Sequence, residues 1–256
     1  MKTLFRVLFL CVILTGLAAC GGNLTTTPVP TMPIVPTATP APLYTSVTLS
    51  SVLFTESGTG PDYSITTNTP VLIGSSDPRI RPFNNQMALL VQGYIDGFRN
   101  NWQHQPPESL FCFLDITFTQ MSPPGNVLSL RFTIRDYSNN APRPDTYYRT
   151  ITYDLEAGKF LALRELFLPG SNYLETISEY CIANMKATGF DIWEGGAKPI
   201  LDYYRNWNVT ADGLLISFDR GQVSYVPFFI TIPYSELQSI IDPYGPLAEY
   251  STEEQP

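Results

Sequence analysis

Few residues of this 256-residue chain combine a reactive type with a useful spacing. Its one histidine, His104, lies in the loop-like run NWQHQPP at 101–107. A multi-histidine metal site is therefore excluded, and as a lone general base His104 has no partner at a telling spacing. Carboxylates offer more: Asp154, Glu156, Glu165, Asp212, Asp219 and Glu236 are enough to include a glycosidase-type pair. Most of them, however, fall at turns or helix starts, where acidic groups accept hydrogen bonds from backbone N–H groups. A structural role is the stronger reading. There is no Gly-rich phosphate loop, nucleophile elbow or metal-spaced cysteine cluster. No catalytic residue, cofactor or metal site is expected, and the chain does not read as an enzyme.

Binding chemistry is better represented. The run RGQVSYVPFFITIPY at 220–234 gathers Tyr225, Pro227, Phe228, Phe229 and Tyr234 around one strand and its entry loop. Rings with a polar handle suit contact with protein or sugar, although a core would claim some of them. Two cysteines within the folded part, Cys112 and Cys181, fall on a strand face and on a helix stripe. Outside a reducing compartment the two could form a disulfide, closing a long loop and adding about 4 kcal/mol in the chain-entropy model. Two separate buried thiols fit the same pattern, because a bridge needs Cα atoms within roughly 7 Å.

These residues need a scaffold, and the chain supplies one of mixed type. Residues 147–154 alternate aromatic and β-branched side chains as a strand does, and YDLEAGK at 153–159 turns at Gly158. LRELF at 163–167 is a short amphipathic run that stops at Pro169 and Gly170. A helix capped by Ser171 or Asn172 then buries Leu174, Ile177, Cys181, Ile182 and Met185 on one stripe. WNVTADGLLISF at 207–218 is a hairpin about Asp212 and Gly213, and a strand at 223–232 leads into IPYSEL. Earlier, strands are expected at 45–54 and 64–73, the second an edge or bulge at Pro70. Asn84 begins a helix to Trp102, and strands at 110–120 and 126–137 alternate one dry and one wet face. The class that satisfies this order is α+β, an antiparallel sheet with helices packed on one face.

Taken in sequence, YDLEAGK, LRELF, NYLETIS, WNVTADGLLISF and IPYSEL resemble the domain shared by the extracytoplasmic part of RsiV-type anti-sigma factors and the N-terminal region of PdaC-type peptidoglycan deacetylases. The likeness covers about residues 136–241, with 44–137 as the weaker first half of the same unit. It implies a binding surface for an extracellular protein such as lysozyme, or for peptidoglycan. The chain departs from the pattern twice. Residues 140–144 (NAPRP) lack the histidine that relatives often carry there, and Gly221 stands where an aromatic is usual.

The N-terminus sets the compartment. Lys2 and Arg6 precede an apolar run that ends in Leu17, Ala18, Ala19 and Cys20, shorter than the ~20 residues a membrane span needs. Residues 1–19 resemble a bacterial lipoprotein signal, and Cys20 is the expected site of lipid attachment, anchoring the protein to the extracytoplasmic face of the cell membrane. Thr and Pro dominate 20–42, a semi-stiff tether reaching roughly 60 Å at ~3.1 Å per residue. The domain is expected at 43–242, with an acidic, disordered tail at 243–256. Removing the signal leaves 13 basic against 23 acidic residues, a net charge of −10. That excess argues against nucleic acid as a partner. The sequence thus describes a lipid-anchored recognition module for a protein or cell-wall ligand. Its rivals are a carboxylate-based hydrolase of cell-wall glycan and a purely structural envelope lipoprotein.

Overall fold

The computed structural model describes residues 42–105, 111–137 and 143–251. The expected signal at 1–19, the expected lipid site Cys20, nearly all of the expected tether and the last five residues lie outside that range. In chain order the elements are β1 (Thr48–Gly58), β2 (Tyr63–Ile73), α1 (Ile80–Gln103), β3 (Cys112–Gln120), β4 (Val127–Tyr137), β5 (Asp145–Asp154) and β6 (Lys159–Phe160). There follow α2 (Tyr173–Ala187), β7 (Trp207–Val209), β8 (Gly213–Phe218) and β9 (Phe228–Pro233), with short 3-10 turns between. The class is α+β. Strands β1 to β6 form one sheet in sequence order, while β7 to β9 form a second. Every neighbouring pair is antiparallel except β2 and β3. That pair is parallel because the 24-residue helix α1 returns the chain to the starting end of the sheet.

Helix α1 covers the first sheet with Phe83, Met87, Val91, Ile95 and Phe98, spaced three or four apart on one stripe. Beneath them lie the alternate residues Leu114 and Ile116 of β3 and Leu130, Phe132 and Ile134 of β4, all buried. The helix begins at Ile80, one turn before the Asn84 cap expected from sequence. Asn84 instead brackets strand β2: its Oδ1 accepts from Leu72 N at 2.8 Å and its Nδ2 donates to Leu72 O at 3.0 Å.

A second core joins α2 to the smaller sheet through Ile177, Cys181 and Met185 against Leu214, Ile216, Phe218, Ile230 and Ile232. Residues 243–251 belong to it, contrary to the expected disordered tail. Leu247 is buried there, and the Tyr250 ring stacks on Tyr234 with centroids 3.8 Å apart. An acidic composition concealed these two apolar anchors. Buried polar contacts tie the two sheets together. Asn208 of β7, fully buried, donates from Nδ2 to Ser129 Oγ at 2.9 Å and to Leu130 O at 3.0 Å. Val209 N donates to the same Ser129 Oγ at 3.1 Å, and Trp207 N to Thr150 Oγ1 at 3.0 Å.

Cys112 and Cys181 are not bridged. Each is buried in a different core, Cys112 under α1 and Cys181 under the smaller sheet, so the disulfide left open by the sequence does not form. Burial pushes both thiols up, that of Cys181 to about 12, so little thiolate exists at neutral pH. In a chain starting at residue 40, both should resist iodoacetamide while folded and both should be alkylated after denaturation without reductant. Intact mass reads the result. Denatured protein that stays unlabelled would reveal a bridge.

Candidate functional site

Two concave regions stand out, and their chemistry differs. The larger, of about 900 Å3, surrounds the YDLEAGK turn and the start of α2. There Gly158 adopts φ +66°, as the turn requires, and Asp154 Oδ1 accepts from Glu156 N at 2.8 Å and Ala157 N at 2.9 Å. Glu165 accepts from Ala162 N and from Lys159 Nζ, each at 2.7 Å. The Ala162 N–H, followed by Lys159, holds its carboxyl below the usual glutamate range. These acids are occupied in fastening turns. The structural role read from their positions is the one the geometry gives Asp154 and Glu165.

The second region, of about 590 Å3, brings three segments together. The paired ends of β4 and β5 contribute Asp136 and Asp145, with Tyr147 alongside. The loop after α2 contributes Trp193. The link from β8 to β9 contributes Asp219 and Tyr225. Trp193 and Tyr225 meet edge to face, with centroids 4.7 Å apart and planes at 79°. Trp193 is 37% exposed and Tyr225 75% exposed, so this pair stands open to solvent beside carboxylates. Its backbone is set by Trp193 N donating to Val223 O at 2.8 Å and by Gly221, at φ +83°, donating from N to Ser224 O at 2.8 Å. At that positive φ, Gly221 permits the turn that precedes Tyr225.

Electrostatics at this cleft are mixed. Asp219 Oδ2 lies 3.1 Å from Asn206 Nδ2, 3.2 Å from an Arg205 nitrogen and 3.6 Å from an Arg149 nitrogen. Its oxygens are thus engaged by the scaffold. Arg220 reaches Asp145 at 3.5 Å on the open rim, where such a pair contributes little. Burial, above all, pushes the Tyr147 hydroxyl up to about 12, so it serves as a neutral donor or acceptor.

Of the five aromatic-run residues singled out in the sequence, only some face solvent. Tyr225 is exposed in the cleft. Phe229 is 41% exposed outside it, edge-on to Tyr148 at 5.1 Å and under the Arg131 guanidinium at 5.1 Å. Pro227 and Phe228 are half-buried. Tyr234 does not belong to a binding surface: it is buried, donates its hydroxyl to Thr210 O at 2.8 Å and stacks on Tyr250. Its place at the end of β9 turns it inward. Trp193 was missed because it follows the helix in a run, FDIWEGG, without periodicity. A lone tryptophan before two glycines was the available signal. His104 sits exposed at the end of α1, its Nδ1 2.7 Å from Asn100 O. Among the described residues no group of His, Cys, Asp and Glu is arranged to hold a metal.

No family model and no curated protein sequence matches the chain. Its fold is found in DUF3298 family structures. One, from Bacteroides fragilis NCTC 9343, superposes with a TM-score of 0.60 at 14% identity, over 81% of this chain and 98% of that one. Another, from Pseudomonas aeruginosa PAO1, gives 0.52 at 14% identity, over 77% and 95%. At such identity the likeness extends to the fold alone.

Proposed function

We propose that the protein is a lipid-anchored, extracytoplasmic recognition module that binds a protein or a cell-wall ligand at the cell surface. The observation that carries this reading is the exposed Trp193–Tyr225 pair over the carboxylates of the 590 Å3 cleft. Open aromatic faces offer apolar contact area at low conformational cost, and Asp145 on the open rim, 3.5 Å from Arg220, can also accept hydrogen bonds from hydroxyl, amide or ammonium groups. A signal-like N-terminus ending in Cys20 and a Pro-rich tether suit display at a membrane. The resemblance to RsiV and PdaC domains points to the same kind of role, with lysozyme-like proteins and peptidoglycan as partner classes.

The test uses residues 40–256, which form one compact unit and contain every buried hydrophobic residue of both described cores. Retention on lysozyme, on purified peptidoglycan and on extracts is compared for the unaltered chain and Tyr225→Ala. Saturable binding of an unchanged bait, weakened about tenfold or more by the substitution, is the expected result. Equal binding by the variant would remove the cleft from the account. Cleavage of the glycan would put the carboxylate hydrolase in its place.

A further inference from the structure

Strand β1 ends the six-stranded sheet, so one side of its backbone has no strand beside it among the described residues. At 11 residues it is long for an edge. Helix α1 packs chiefly over β2 and β3 and leaves β1 largely uncovered. Three consecutive apolar residues stand open at its centre: Val52 is 57% exposed, Leu53 63% and Phe54 37%. Because side chains alternate, Leu53 lies on one face of the sheet and Val52 and Phe54 on the other. Natural edges are usually blunted by lysine, proline, a bulge or shortness. β1 has no lysine, arginine or proline, and its register with β2 is unbroken from Thr48 to Gly58.

We propose that β1 is a dimer interface, pairing antiparallel with β1 of a second copy about a two-fold axis through Leu53. The sequence of the strand is what selects a second copy as occupant. With Leu53 opposite its own equivalent, Val52 faces Phe54, Ser51 faces Thr55 and Ser50 faces Glu56. Apolar residues meet apolar ones, small polar residues meet hydroxyls, and no like charges oppose. The lone acid, Glu56, is already held within its own chain by Arg99 and by the Tyr63 hydroxyl at 2.9 Å, so it adds no repulsion. Pairing would join two six-stranded sheets and cover the apolar centre on both faces, an isologous contact of the common two-fold kind. The tether is a poor competitor for this edge, since Pro28, Pro30, Pro33 and Pro36 lack the N–H groups a ladder needs.

Light scattering with size exclusion, run over a concentration series on residues 40–256, tests the proposal. The unaltered chain is expected to show a concentration-dependent dimer. Leu53→Lys places two ammonium groups face to face at the axis and should weaken the dimer by about tenfold or more. Because Leu53 is exposed, the variant should keep its circular dichroism and, at concentrations where both chains are monomeric, its melting temperature. A second variant, Leu53→Cys, should form an inter-copy disulfide under mild oxidation, while the exposed control Asp191→Cys should not. A monomer at every concentration, or a dimer unaffected by Leu53→Lys, would overturn the proposal. So would a monomer that takes a foreign extended peptide along β1. None of these outcomes depends on the Trp193–Tyr225 cleft.

Discussion

Asn208→Asp is expected to destabilise the protein by about 3–5 kcal/mol at neutral pH, because it leaves a buried charge without a compensating partner. Asn208 is fully buried where β7 meets β4, and both of its placed hydrogen bonds use the amide as donor. A carboxylate at that position cannot donate to Ser129 Oγ or to the Leu130 carbonyl, and it would set negative oxygens against that carbonyl. The sign of the pH dependence follows. Burial raises the folded-state pKa of the new acid above its unfolded value of about 3.9, so the protonated form is the one compatible with folding. The variant should therefore lie nearest the parent below about pH 4, and its deficit should grow as pH rises from there. Urea melts at several pH values measure it. A deficit that is constant across pH would mean that the site admits water. Asn208→Ala, which loses two hydrogen bonds without adding charge, should cost less.

The second large effect belongs to the first core. Phe132 is fully buried on β4, flanked on its face by Leu130 and Ile134 and tilted against Phe118 at 6.1 Å. Phe132→Ala should lower stability by about 3–5 kcal/mol, combining lost burial with the cavity left beneath α1. Against a typical total of about 5–15 kcal/mol, this is a large share. The urea midpoint should fall with the slope unchanged. Phe229→Ala is the control, since that ring is 41% exposed and touches chiefly Tyr148 and the Arg131 guanidinium. It should cost about 1 kcal/mol. Equal losses in the two variants would mean that Phe132 is no more a core ring than Phe229.

Much of the local structure was legible because it rests on short-range rules. The spacing of Leu174, Ile177, Cys181, Ile182 and Met185 specified α2, of which Ile177, Cys181 and Met185 are buried and the other two half-buried, and Asp154 with Gly158 specified the turn after β5. Asp212 and Gly213 likewise marked the hairpin between β7 and β8. Harder to read were contacts between residues far apart in the chain. Asn84 has the character of a helix cap, yet its amide fits the β2 backbone better. Tyr225 and Tyr234 look alike in sequence. Only Tyr225 stays exposed, because Tyr234 lies at the end of β9 where Tyr250 returns to cover it. The candidate cleft was half legible: Tyr225 marks its aromatic arm, Trp193 offers only the weak signal of a lone tryptophan before two glycines, and the acids Asp136 and Asp145 carry none.

By itself, then, the sequence determined the α+β class and the main helices and strands. Periodicity, turn residues and composition act within a few residues of chain, so they survive without knowledge of the fold. The tertiary structure decided the rest. It made two sheets of the strands, put β2 and β3 parallel through α1, and separated Cys112 from Cys181 into different cores. It also brought Trp193 to Tyr225 across 32 residues of chain and left the apolar edge of β1 open. Each depends on which surfaces are buried together, and close packing of distant segments is a property of the whole chain.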